Sequence, residues 1–235
     1  MERNEKFTED CAGIDRPNND TELVFIIDRS GSMSGFEADT VGGFNSMIEK
    51  QKTEGEGMVY VSTVTFNNHS EIIHDRVPIM DVKKMVPADV VSSGCTALFD
   101  AIGEAIKHIG TIHRYARRDD VPAHTIFVVT TDGMENASRQ YSREKVKKMI
   151  EYRTKKCGWE FIFVAANIDA EEAAGDIGIS AERTATYEQS EEGFADCYKA
   201  MGSFVSMKRC RTMSADDVSW RGNLEKNNKK KNDRK

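Results

Sequence analysis

Apolar and polar positions along this chain follow two alternating rhythms. Short, nearly continuous apolar runs occur at Leu23-Val24-Phe25-Ile26-Ile27, Met58–Phe66, Thr125–Val129 and Trp159–Ala165. Their length and β-branched content predict strands covered on both faces. Between them, apolar residues recur every three or four positions, the spacing of one helix face. Phe36, Thr40, Phe44, Met47 and Ile48 predict a helix ending near Lys52, and Leu98, Ile102, Ala105, Ile106 and Ile109 predict a second. Ser142 is placed to cap a third helix, amphipathic over Lys145–Tyr152. A short helix is expected over about Ala170–Asp176. A final one, Ser190–Lys208, turns Phe194, Cys197, Tyr198, Met201, Phe204 and Val205 inward.

The first strand reads as Glu22–Asp28. Asn67-Asn68-His69 predicts a hairpin turn into Glu71–His74, an antiparallel strand at the sheet edge. Pro78 to Pro87 reads as a connector with at most one helical turn, and Glu182–Tyr187 as a last edge strand. Strands alternating with amphipathic helices predict an α/β fold: a doubly wound, mostly parallel sheet flanked by helices, with one antiparallel edge strand. Such sheets bind ligands outside the carboxyl ends of their strands.

Composition narrows the class. The 235 residues, 39% hydrophobic and 31% charged, suit a globular protein with one substantial domain. That domain is expected over residues 21–212, after an aperiodic extension (1–20) that closes on Pro17-Asn18-Asn19-Asp20, and before a basic, disordered tail (213–235). The net charge of −6 is uneven: from residue 221 on, seven Lys and Arg face two acids, so the rest of the chain carries −11. An acidic body argues against nucleic-acid binding and leaves the tail as the sole anionic contact. The charged start, Met1-Glu2-Arg3-Asn4-Glu5-Lys6, lacks an apolar signal core and no stretch reaches membrane-spanning length. The expected location is cytoplasmic, with no membrane partner. Cys11, Cys95, Cys157, Cys197 and Cys210 are scattered and form no CxxC, so free thiols are expected. The five histidines lack metal-binding spacing.

The chemistry lies where the first strand ends. Asp28-Arg29-Ser30-Gly31-Ser32-Met33 places one carboxylate and two hydroxyls at alternate positions on a tight glycine turn. These hard oxygen donors suit Mg²⁺ or Mn²⁺ and offer little to a thiophilic metal. Thr96, in the loop before the second predicted helix, and Asp132, in Thr130-Thr131-Asp132-Gly133, can face the same sheet edge. Asp28, Ser30, Ser32, Thr96 and Asp132 together give an octahedral ion most of its shell at low ligand charge. One position stays open to an outside carboxylate, such as a partner's Asp or Glu.

With these three segments in order, the chain resembles the von Willebrand factor type A (VWA) domain family over roughly Glu22 to Lys208. Asp28-Arg29-Ser30-Gly31-Ser32 is similar to the family's DxSxS motif. Ser93-Gly94-Cys95-Thr96-Ala97-Leu98-Phe99-Asp100-Ala101-Ile102 and Thr130-Thr131-Asp132-Gly133 resemble its second and third motifs. The resemblance implies a Rossmann-like fold and a metal-ion-dependent adhesion site. Ser30 and Ser32 would coordinate directly, Thr96 directly or through water, and Asp28 and Asp132 directly or through waters. It also implies that a shift of the Thr96 loop or of the last helix couples binding to shape. Cys95 departs from close relatives, which often carry a second small residue there, and its thiol is expected to pack harmlessly beside Thr96 in preference to a redox role. Stand-alone intracellular bacterial members, among them VWA proteins of tellurium- and chemical-stress-resistance gene clusters, are similar in length and in Gly43-Phe44-Asn45-Ser46-Met47.

The expected function is therefore a metal-dependent protein-binding adaptor, not an enzyme. A phosphatase with Asp28 as nucleophile needs a second Asp two positions on, where Ser30 stands, and a hydroxyl is no general acid near neutral pH. A structural subunit braced by the metal is the third reading. Around the site, Arg29 could point outward to an acidic partner, while Glu37 and Asp39 read as a solvated first-turn pair. Glu135, Asn136 and Ser138 read as rim residues, with Asn136 or Ser138 equally a helix or turn cap.

Overall fold

The computed structural model describes residues 18–214, 216–222 and 224. The strands are β1 (Thr21–Asp28), β2 (Val59–Phe66), β3 (Ser70–Pro78), β4 (His124–Thr131), β5 (Glu160–Ala165) and β6 (Thr184–Thr186). The helices are α1 (Glu37–Thr53), α2 (Leu98–Tyr115), α3 (Arg143–Cys157), α4 (Ala170–Asp176) and α5 (Glu191–Arg209). The sheet order is β3-β2-β1-β4-β5-β6. β3 pairs antiparallel with β2, and the other neighbours are parallel. This is the doubly wound sheet with one antiparallel edge strand expected from the pattern.

β1 lies at the centre and every one of its residues is buried, which explains its unbroken apolar run. Alternate residues serve opposite faces. Leu23, Phe25 and Ile27 join α1 and α5 in one core cluster, where Phe44, Met201 and Phe204 pack. Val24 and Ile26 join α2, α3 and α4 in the other, with Ile102, Ile150 and Trp159. Each such side chain contributes roughly 1.5–3 kcal/mol by leaving water. Because the strand order reverses direction at β1, the carboxyl ends of β1 and β4 flank a crevice.

Three features differ from the sequence reading. β3 runs to Pro78, well beyond His74, because β2 offers it a full-length partner. The connector expected up to Pro87 holds one 3₁₀ turn, Ile79–Asp81, in agreement with the sequence, and a second, Pro87–Val90, follows it. β6 is three residues long, because Ala181–Arg183 are taken up in a 3₁₀ turn. Beyond α5, Ser219–Arg221 form a further turn, and Trp220 and Leu224 are buried in the first core cluster. Trp220 stacks edge-on against Phe204, and its indole donates to Glu182 O at 3.1 Å. The packed chain therefore extends past the expected boundary at residue 212. The charged stretch 225–235 and residues 1–17 lie outside the described residues.

Cys95, Cys197 and Cys210 are free, as expected, whereas Cys157 is disulfide-bonded. Disulfides persist chiefly in oxidising compartments, so Cys157 lends the cytoplasmic expectation no support. Among the described residues, no helix is long and apolar enough to cross a membrane.

Candidate metal centre

Asp28 reaches the carboxyl edge of the sheet as the last residue of β1 and is 1% exposed. The register Ile27↔Thr130 sets Thr131 beside it. Thr131 Oγ1 donates to Asp28 Oδ2 at 2.6 Å. Ser30 N donates to Asp28 Oδ1 at 2.7 Å, a side-chain-to-backbone turn that bends the chain into a 3₁₀ turn at Gly31–Met33. The bend brings Ser30 Oγ to 3.1 Å from Ser32 Oγ. Ser32 Oγ donates to Asp132 Oδ1 at 2.6 Å. Asp132 directly follows β4 and is buried. Its Oδ2 accepts from Gln189 Nε2 at 2.9 Å, and the same amide nitrogen donates to Ser32 O at 3.0 Å.

Thr96 completes the group from the loop before α2. A Cβ on Gly133 would stand 3.4 Å from Thr96 Oγ1 and 3.5 Å from Ser32 Oγ, so all three segments meet at one point. The loops are joined through their backbones: Ser93 N to Arg29 O (3.0 Å), Gly31 N to Gly94 O (3.1 Å) and Ala97 N to Asn67 O (2.8 Å). Asn68 Oδ1 accepts from Cys95 N at 3.0 Å, and a Cβ at Gly94 would collide with that same oxygen. Asn136 brackets Thr96, accepting its N–H at 2.9 Å and donating to its carbonyl at 3.0 Å. Glu135 accepts from Phe99 N at 2.9 Å, and Ser138 Oγ from Asp100 N at 3.0 Å. These two residues satisfy orphan amides in the first turn of α2. Of the two readings of Glu135, Asn136 and Ser138, bracing is the observed one.

The donor set fits a hard divalent ion. Adjacent ligands of an octahedral Mg²⁺ stand about 3 Å apart, and the Ser30–Ser32 hydroxyl separation of 3.1 Å matches. Burial raises the Asp28 carboxyl above its ordinary range, bonds from Thr131 and Ser30 oppose this, and the Asp132 charge adds to it. Burial likewise raises Asp132, against bonds from Ser32 and Gln189. Hydroxyls and amides bond both acids, the Asp132 charge acts on Asp28, and among the described residues no cationic side chain forms an ion pair with either. A bound cation would favour both charged forms. Among the described residues, no cluster of three or more His, Cys, Asp or Glu is arranged to hold a metal ion, so this cradle depends on its hydroxyls.

All five residues expected from the sequence converge here. Other expectations change. Arg29 pairs with Glu71 of β3 at 2.9 Å instead of reaching outward. Glu37 accepts from Gly35 N at 2.9 Å, so it braces the turn. Cys95 is exposed and does not pack beside Thr96. Thr131 and Gln189 were not singled out as site residues, and Asn67 and Asn68 were read only as a hairpin turn. Thr131 carried a signal as the residue of the third motif one register step beyond Thr130.

The family model "von Willebrand factor type A domain" matches residues 22–199. Curated proteins gave no match. Among solved structures, proximal thread matrix protein 1 from the mussel byssus is similar at 15% identity and TM-score 0.56, over 80% of this chain and 46% of that one. A further structure of that protein has zinc in its MIDAS motif. The PilB minor pilin from Streptococcus sanguinis is similar at 12% identity and TM-score 0.58, over 84% of this chain and 64% of that one. The ArnB paralog VWA2 from Sulfolobus acidocaldarius gives 14% and 0.51, over 80% and 46%. This chain spans less than half of the mussel protein's length. At these identities the likeness is one of fold.

Proposed function

From a chain that belongs to the von Willebrand factor type A domain family, we infer a divalent-metal-dependent protein-binding module with no catalytic activity. Asp28, Ser30, Ser32, Thr96 and Asp132 would hold Mg²⁺ or Mn²⁺, the ions that hard oxygen donors favour. When bound, the ion supplies an electrophilic centre for an Asp or Glu carboxylate of the partner. One observation carries the reading: two buried carboxylates and three hydroxyls converge where the described chain provides no cation of its own.

The remaining residues position the ligands. Thr131 and the Ser30 amide orient Asp28, Gln189 orients Asp132, and Asn136 and Asn68 hold the Thr96 loop. A non-catalytic role is supported by Ser30 standing where a phosphatase would need its general acid.

The test is affinity capture of a partner by wild type in Mg²⁺, by wild type in EDTA and by Asp28→Ala in Mg²⁺, with calorimetry of each protein against MnCl₂. Capture in the first sample alone, with Mn²⁺ heat lost in the variant, is the expected outcome. A partner retained equally in all three would reduce the metal to a brace and refute the adaptor reading.

A further inference from the structure

At the opposite pole of the sheet lies a polar cavity of about 530 Å³, lined by Asn18, Asn19, the Gly55-Glu56 loop and the run Arg209-Cys210-Arg211. Arg209 ends α5 and is only 4% exposed. Its Nη1 donates to Gln51 O at 2.9 Å and to Gln51 Oε1 at 3.0 Å, both neutral acceptors. Its buried Nε has no hydrogen-bond partner, and neither does the buried Oδ1 of Asn19. The carboxylate that acts on it, Glu54, is already engaged by Gln51, Ser206 and Lys50. A guanidinium left on neutral partners in a buried place is costly.

Arg211 adds a second cation in an unusual way. α5 closes with Thr212 N bonded to Met207 O at 3.0 Å and Arg211 N to Lys208 O at 3.1 Å, the Schellman pattern. Arg211 occupies its left-handed position, with φ 55°. Glycine is the usual residue there, because an L side chain is strained in that conformation. The last carbonyls of α5 are satisfied by backbone amides and the Thr212 hydroxyl, so capping does not require either guanidinium. Two arginines thus line the cavity against one acid, Glu56. Their field reaches His124, where Arg211, Lys208 and Arg209 add to burial in lowering the imidazole pKa, against Glu160.

We propose that this cavity binds a small phosphorylated molecule, its phosphoryl group on Arg209 and Arg211 and its hydroxyl or amine donors toward Glu56. Guanidinium forks match phosphate oxygens in bidentate fashion. The volume is that of a small-molecule site.

Two exposed free thiols make the test internal. Cys210 lies between the two arginines, and Cys95 lies at the metal pole. The full chain is alkylated with iodoacetamide in EDTA at matched ionic strength, in chloride, inorganic phosphate or ribose 5-phosphate, and each cysteine peptide is followed by mass spectrometry. Phosphate is expected to slow Cys210 at least threefold in a saturable way, ribose 5-phosphate to act at lower concentration, and Cys95 to keep its rate. Arg211→Gly should abolish the protection while raising Tm by a few degrees, because glycine suits the backbone it inherits. Unchanged Cys210 rates, equal slowing of both thiols, or protection that survives in Arg211→Gly would overturn the proposal. So would protection by phosphatidic acid vesicles where soluble probes give none.

Discussion

β1 carries a buried carboxylate near each end, and the two are stabilised in opposite ways. Glu22, 0% exposed, meets cationic or protonatable groups of its own chain: Arg76 Nε at 2.8 Å and His113 Nε2 at 3.3 Å. Asp28, 1% exposed, meets a threonine hydroxyl and a backbone amide. Six residues apart on one strand, the first acid has an arginine and a histidine of its own chain at one oxygen, Oε2, and the second has no such partner. The lesson is that burial of a carboxylate does not by itself mark a site; the absence of an internal cation does.

The largest effect should come from breaking the ion-paired end. Arg76→Met leaves Glu22 in the core with a weakened partner set, and is expected to cost about 3 kcal/mol in chemical denaturation, the scale for halving a buried ion pair. Glu135→Ala should cost about 1–2 kcal/mol, because amides of Phe99, Ala137 and Ser138 lose their acceptor. It should also weaken Mn²⁺ binding severalfold through Thr96. Asp28→Asn should go the other way in EDTA, stabilising the metal-free protein by about 1 kcal/mol, while Mn²⁺ no longer raises its Tm. A loss of stability in EDTA equal to that of Arg76→Met would erase the contrast between the two ends.

The smallest effect is in pH. Asp28 and Asp132 have folded pKa values raised above the model-compound value of 3.8. In the window from about 3.8 up to those raised values, the folded metal-free protein binds more protons than the unfolded chain. Its stability therefore falls as pH rises through that window. Metal binds the deprotonated carboxylates, so its stabilisation grows over the same interval and is lost on acidification. The gap between metal-loaded and metal-free Tm should widen from pH 4 to neutral. A gap independent of pH would remove these carboxylates from the site.

Local signals made much of this legible. β1 follows from its apolar run, α2 from its apolar face of Leu98, Ile102, Ala105, Ile106 and Ile109, and the cradle from three motifs that each lie at a strand or helix end. What was hidden depends on distant registers. Gln189 reaches Ser32 across 157 positions, and nothing in its neighbourhood identifies it. Trp220 falls in the stretch expected to be a basic, disordered tail, yet it packs edge-on against Phe204 in the core. Cys95 misled because a small residue before Thr96 suggests packing, whereas Asn68 holds its amide and leaves the thiol in solvent.

The backbone bonds that join the cradle loops have a consequence for how this surface can diversify. Arg29 to Ser93, Gly31 to Gly94, and Asn67 to Ala97 are tied through main-chain atoms, whose strength does not depend on the side chains beside them. Exposed Cys95 and Met134, the latter 73% exposed, stand next to this frame, and their side chains take no part in it. They form an interchangeable lettering on a fixed plate: the vocabulary of contacts can be rewritten at those positions while the ligand geometry beneath is inherited intact.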